Sequence, residues 1–268
     1  MGTTPGHADG TVGKAMDVLE AVASFGRPVR FTELLASDLY PKATLYRLLQ
    51  TLTNQGMLRH DPDRNTYAMG MRLIRLAHGA WAQTSIAPVA RPFLDRLSAK
   101  LGETVHLAQL DAGQVLYVDK RNATKPISMF SDAGKVGPAY CTGVGKAMLA
   151  FLPEADLTKA LGAQAFQQHT PATLTDAERL RAELEQIRTQ GVSFDREEHE
   201  PSIICVAVPI LNTAGEPMGG LSVTSTTLRH ALTDLAGFAP DLQATAEDIA
   251  AHLQPWAFPQ HLSEPRSA

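Results

Sequence analysis

Apolar residues recur three and four apart from Thr11 to Phe25. Val12, Ala15, Met16, Leu19, Val22 and Ala23 share one face, so the spacing predicts an amphipathic helix. Gly26, Arg27 and Pro28 break it. A shorter helix is expected from Thr32, a side chain suited to an N-cap, with Leu34 and Leu35 turned inward. Pro41 suits the first turn of a third helix, where its fixed φ is already helical. Leu45, Leu48, Leu49 and Leu52 form that helix's core stripe, and Gly56 is expected to close it in a left-handed conformation. Met57-Leu58-Arg59 and Thr66-Tyr67-Ala68-Met69 then read as two short strands joined by the turn Asp61-Pro62-Asp63-Arg64-Asn65. Three short helices followed by a hairpin predict a winged helix-turn-helix over residues 11–70.

Another amphipathic stretch, Met71 to Gln83, carries Leu73, Ile74, Leu76, Ala77 and Trp81 on its apolar side and reads as a linker helix within 71–84. From Ser85 the pattern becomes mixed. A helix is expected to Leu101, ending at Gly102. Strands follow at Thr104 to Leu110 and Gln114 to Asp119 around the hairpin signal Asp111-Ala112-Gly113, with another near Ile127 to Phe130. Helices fit Val144 to Leu152 and Asp176 to Gln190. Ile203 to Leu211 is almost wholly apolar, as a central strand would be, and Gly219 to Thr226 pairs back onto it. A last helix spans Asp241 to Leu253. The fold class is α+β: a winged helix-turn-helix, a linker helix, and an antiparallel sheet flanked by helices over residues 85–254. Met1 to Gly10 has neither the basic nor the apolar region of a signal peptide and is expected to be a short disordered lead. The Pro-rich tail, 255–268, is expected to be irregular.

Composition narrows the partners. The net charge of −4 argues against a nucleic-acid role for the chain as a whole. Its distribution softens that objection, because residues 1–80 hold nine Lys/Arg against seven Asp/Glu. The outward face of the third predicted helix holds Lys42, Ala43, Tyr46, Arg47 and Gln50. A recognition helix lays its first turns in the major groove, where such side chains read base edges. Thr44 and Tyr46 are placed to reach phosphate oxygens, and Arg59 and Arg64 lie in the predicted wing. The bland alternative is a solvated face of an ordinary three-helix unit; the wing that follows directly is what favours DNA. No run of apolar residues is long enough to span a bilayer. Only two cysteines, Cys141 and Cys205, occur, and neither is in a CxxC pair, so neither a disulfide framework nor a structural zinc is expected and a cytoplasmic setting fits.

The run Leu39-Tyr40-Pro41-Lys42-Ala43-Thr44-Leu45-Tyr46-Arg47-Leu48-Leu49 resembles the G-L-P-K-S-T-V-x-R-L-L segment of the isocitrate-lyase-regulator (IclR) family of bacterial transcription factors, with Leu39 for glycine and Ala43 for serine. Two further segments fit. Tyr140-Cys141-Thr142-Gly143-Val144-Gly145-Lys146-Ala147 is similar to the family's A-H-C-T-A-L-G-K-A. The segment Asp195 to Cys205 is similar to D-x-E-E-x-x-x-G-x-x-C, with Ser202 for glycine. The first of these is not a nucleotide-binding P-loop, because Tyr140 stands where glycine is required and Ala147 where the magnesium-binding hydroxyl belongs. The resemblance covers residues 11–253. It implies a GAF/PAS-like effector domain, operator DNA as partner, a homodimer or dimer of dimers joined with the help of the 71–83 helix, and no cofactor.

The same resemblance places the effector site at Met129, Gly137, Gly143, Val144, Asp195, Ile203, Cys205, Ser222 and Thr224. Gly137 replaces a usual leucine, which would enlarge the site. Its walls would be Met129, Val144 and Ile203, and its donors Ser222, Thr224 and the amides around Gly143, a mix suited to a small 2-oxo acid such as glyoxylate. The strand pattern bears on this independently. If residues 212–215 form the turn, Leu211 faces Glu216 and Cys205 faces Ser222, with Thr224 on the same side of the sheet. Three other readings compete. Cys141 or Cys205 with His106 or His199, oriented by Asp195, would make a Cys–His enzyme. His199 fits a surface position or one supporting the site from behind. Metal-ligand spacing is absent, so no metal is expected. In the last reading the larger domain only dimerises.

Overall fold

A computed structural model describes residues 10–253. The expected lead, apart from Gly10, and the expected irregular tail lie outside the described residues. The chain divides into two compact units, at residues 83 and 84.

The first unit contains α1 (Gly10–Ser24), β1 (Val29–Arg30), α2 (Phe31–Ala36), α3 (Lys42–Asn54), β2 (Leu58–Asp61), β3 (Thr66–Met69) and α4 (Met71–Thr84). Its core is the Leu45, Leu48, Leu49 and Leu52 stripe of α3 packed against Val18, Leu19 and Val22 of α1, Leu34 of α2, and Leu58 and Tyr67 of the hairpin. The α1 stripe starts later than expected. Val12 is 75% and Met16 49% exposed, because α1 meets α3 and β3 through its second half only. Helix α2 starts at Phe31. Thr32 is therefore not its cap, and the Glu33 carboxylate instead accepts the Arg30 N–H at 2.9 Å. Pro41 sits one position earlier than expected, as the N-cap of α3. The left-handed residue of the preceding turn is Asp38 (φ 53°), a type that tolerates this conformation, so the turn closes without glycine at position 39. Strand β1, too short to show a period, pairs Val29 with Tyr67 and makes the wing three-stranded in the order β1-β3-β2.

The second unit contains α5 (Ala87–Leu101), β4 (Thr104–Asp111), β5 (Gln114–Arg121), β6 (Val136–Gly137), α6 (Gly143–Leu149), α7 (Glu154–Gly162), α8 (Ala177–Gln190), β7 (Ser193–Arg196), β8 (Ile203–Leu211), β9 (Pro217–Thr226), α9 (Leu232–Ala236) and α10 (Ala239–Leu253). Its sheet runs β6-β5-β4-β9-β8-β7, antiparallel throughout. Helices α6, α7 and α8 build one core with Ala108, Val115, Tyr117 and Ala207, while α5 and α10 pack together and against the sheet as well. Ile127 to Phe130 is not a strand. The pairing with β5 is made later, by Val136 and Gly137, while the preceding segment is held by its own turn, where Lys135 N–H donates to the Asp132 carbonyl, and by Gly134 N–H donating to the Tyr117 carbonyl of β5. Strand β7 has only four residues and α9 only five, too few to display a period.

The β8–β9 register is two residues from the expected one. An irregularity between Ile210 and Leu211 sets Leu211 opposite Pro217, Cys205 opposite Thr224 and Ala207 opposite Ser222. A shift of two preserves which face each side chain occupies, where a shift of one would reverse it. Cys205, Ser222 and Thr224 therefore still share one face. Glycine is usual at position 202 in the resembled motif, and Ser202 adopts φ 63° here, held by its N–H donating to Glu197 Oε1 at 2.7 Å.

A buried ion pair joins α6 to the β7–β8 connection. Lys146, fully buried, donates to Glu198 Oε1 at 2.5 Å and to Glu183 Oε1 at 3.3 Å, and Arg196 reaches Glu183 at 2.7 Å. The Thr173 hydroxyl donates to the Glu198 carbonyl, and the Glu198 N–H donates to Asp195 Oδ1 at 2.7 Å. Removing one partner of such a pair strands the other charge. Lys146→Ala is thus expected to cost about 3–5 kcal/mol in urea unfolding, with the double variant Lys146→Met/Glu198→Leu recovering most of the loss.

Candidate functional site

In the first unit, Lys42, Ala43, Tyr46, Arg47 and Gln50 are exposed on α3, and Thr44 is half-buried. The Phe31 ring meets Tyr46 edge-on, and Gln50 reaches the Tyr46 hydroxyl at 3.4 Å. Phe31, Lys42, Ala43, Tyr46, Asn65 and Tyr67 line one groove between the start of α3 and the wing. The wing turn is tied by Asp61 Oδ1, which accepts the N–H groups of Asp63 and Arg64. Arg59 and Arg64 are exposed. Among the described residues Lys42, Arg47, Arg59 and Arg64 form no ion pair, whereas Arg27 is bound to Glu33. Lys42 lines the groove, and Arg47 on α3 with Arg59 and Arg64 on the wing add further unneutralised cations of the kind phosphate contacts need.

In the second unit a cavity of about 30 Å³ lies on the sheet face covered by α6, on the scale of a few water-sized molecules. Gly143, Val144, Asp195, Ile203, Cys205, Ser222 and Thr224 line it, as the resemblance implies. Met129 and Gly137 are not in its wall. A β-carbon at position 137 would stand in ordinary contact with the Tyr117 and Phe130 rings, at 3.4 and 3.5 Å, so Gly137 borders those rings and not the cavity. His106, Tyr117, Thr142, Ser131, His199 and Glu200 complete the lining. His106 and Tyr117 are brought in by strand register and Ser131 by the folded-back 122–135 segment, neither of which has a local signature, whereas Thr142, His199 and Glu200 stand inside the two motif segments and sequence reasoning passed over them as effector residues. Of the two positions expected for His199, the surface is not the one found: it is half-buried and part of the wall itself.

Cys205 Sγ packs against the first residue of α6. A side chain on Gly143 would collide with that sulfur, so the close approach demands glycine. Burial pushes both cysteine thiols well above their usual range. Among the described residues no histidine bonds either cysteine. His106 instead lies between the Ser131 hydroxyl (2.9 Å, at Nε2) and the Thr224 hydroxyl (3.3 Å, at Nδ1). Burial first, then the nearby Lys120, lowers its imidazole to about 3, so it is neutral. The arrangement supports ligand binding and offers no activated nucleophile. Among the described residues no cluster of His, Cys, Asp or Glu is arranged to hold a metal, and no helix is long and apolar enough to cross a membrane.

Burial, followed by the Glu198 charge, raises the Asp195 carboxyl from 3.8 to about 7. The native state therefore holds a proton that the unfolded chain releases, and this group's contribution to stability falls as pH rises from about 4 to about 7. Asp195→Asn cannot ionise. Its melting temperature relative to the parent is expected to rise by a few degrees between pH 5 and pH 8, read by thermal denaturation.

Known proteins agree with this geometry. Residues 11–62 match the IclR helix-turn-helix domain and residues 78–251 the bacterial transcriptional regulator IclR C-terminal domain. The HTH-type transcriptional regulator XynR of Escherichia coli is 32% identical over 87% of this chain and 92% of its own. The crystal structure of the Thermotoga maritima IclR has a TM-score of 0.73 at 30% identity, covering 91% of this chain and 98% of its own. An IclR homolog from Microbacterium hydrocarbonoxydans, complexed with 4-hydroxybenzoate, shares the fold with a TM-score of 0.79 at 22% identity, covering 92% and 100%. The chain belongs to the IclR family: it is a DNA-binding transcription regulator with a C-terminal effector-binding domain, and not an enzyme.

Proposed function

We propose that the larger domain senses a compact carboxylic acid, with glyoxylate or a similar small 2-oxo acid as the first candidate, and that the regulator acts in the cytoplasm as a homodimer or dimer of dimers. The observation that carries this reading is the cavity: small, enclosed by Val144 and Ile203, and lined by the hydroxyls of Tyr117, Ser131, Ser222 and Thr224. Hydroxyl donors suit a carboxylate, and the small volume favours a short one. The relative bound to 4-hydroxybenzoate makes an aromatic acid the natural competitor, but a ring would require these walls to move. Two copies of α3 would read a near-palindromic operator. Helix α4 joins the two units and exposes Met71, Ile74 and Leu76, which suits a role in pairing. An effector acts only through its different affinity for two arrangements of the recognition helices.

The test is retardation of DNA from beside the protein's own gene, titrated with glyoxylate, pyruvate and 4-hydroxybenzoate. The expected result is specific retardation that glyoxylate or pyruvate alters at lower concentration than 4-hydroxybenzoate. Response to the aromatic acid alone would reject the compact-acid reading, and retardation indifferent to every acid would favour a domain that only dimerises. Arg47 is exposed and unpaired, so Arg47→Ala is expected to weaken operator binding by about 1–3 kcal/mol with the fold unchanged by circular dichroism.

A further inference from the structure

The groove at the start of α3 has an apolar wall, whereas surfaces that meet DNA are rich in polar and charged groups. Strand β1 pairs Val29 with Tyr67, which sets Phe31, the first residue of α2, beside the wing. Phe31 meets the Tyr46 ring edge-on at 6.2 Å, and Gln50 reaches the Tyr46 hydroxyl, so that ring is held from two sides. Phe31, Tyr46 and Tyr67 make the wall aromatic, and Ala43 adds an exposed methyl group from the first turn of α3. The polar groups are few. Asn65 Oδ1 is already bonded to the His60 ring at 3.1 Å, and Lys42 is an exposed cation on a long stem. The resembled motif carries serine at position 43, so this chain has lost a hydroxyl there and kept only the carbon.

Every base pair shows hydrogen-bonding groups in the major groove, but the one apolar group among them is the 5-methyl of thymine. Setting Ala43 against a base donor or acceptor would strip that group of water and return no hydrogen bond. Setting it against the methyl removes apolar surface from water on both sides. We infer that Ala43, with the Tyr46 ring beside it, reads the 5-methyl group of a thymine in the operator. Serine would serve several base edges, whereas alanine narrows the choice to one. Lys42 and Arg47 add attraction to phosphate, which carries no sequence information. This rests on α3 being the recognition helix and names the chemical group that its first turn selects.

The test begins by letting the full chain select tightly bound duplexes from a random pool. Each thymine of the selected sequence is then replaced in turn by deoxyuridine, which pairs identically and lacks only the methyl, and binding is read by fluorescence anisotropy. The expected result is one thymine in each half-site where the replacement weakens binding by about fourfold, the worth of one buried CH2 group. At that position Ala43→Ser is expected to bind both duplexes equally well. Deoxyuridine tolerated at every position, or a methyl effect that Ala43→Ser leaves intact, would overturn the methyl contact and leave α3 as the recognition helix. Parental affinity and sequence preference in both Ala43→Ser and Arg47→Ala would overturn the recognition-helix reading as well.

Discussion

The sensor half of this protein is organised around the contact between Lys146 and Glu198. A lysine at the bottom of a helix that is buried along its whole length needs a counter-charge, and the β7–β8 connection supplies it. The ion pair holds that connection against α6. Glu198 then gives its N–H to Asp195, and Asp195 pairs with Cys205 across β7 and β8. The chain of bonds therefore runs from an ion pair beneath the helix to the wall of the cavity. The Thr170 and Thr173 hydroxyls, bonded to the carbonyls of residues 197 and 198, fix the same connection from the other side.

The DNA-binding half follows a different logic. Its core is a compact set of leucines and valines, and its outer cations are left unneutralised, which has little cost in water and is useful beside a polyanion. The negative balance of the rest of the chain restricts this attraction to one third of the sequence, so that the whole molecule is not a general polyanion binder.

The two halves were not equally legible. Helix α3, the hairpin and the outward polar face could be read from the leucine period and the turn residues, because a small domain with local contacts expresses its packing in its periodicity. In the larger unit the long strands and helices were equally clear, and seven of the expected effector residues do meet. The rest depended on non-local facts. The β8–β9 irregularity moved Cys205 from Ser222 to Thr224 without changing its face. His106 has no motif around it; its role comes from a partner 25 residues away in a segment without regular structure and another 118 residues away. Gly137 borders the Tyr117 and Phe130 rings outside the cavity wall, a placement set by the pairing of β6 with β5.

Cys205 is surrounded by ligand-binding groups, yet its sulfur is packed tightly against Gly143, and burial keeps it in the thiol form. The sulfur thus fills the space that Gly143 leaves between α6 and β8, and its role is one of fit. A larger side chain on either partner would push the helix off the sheet, so the depth of the cavity is set by one thiol seated against one glycine.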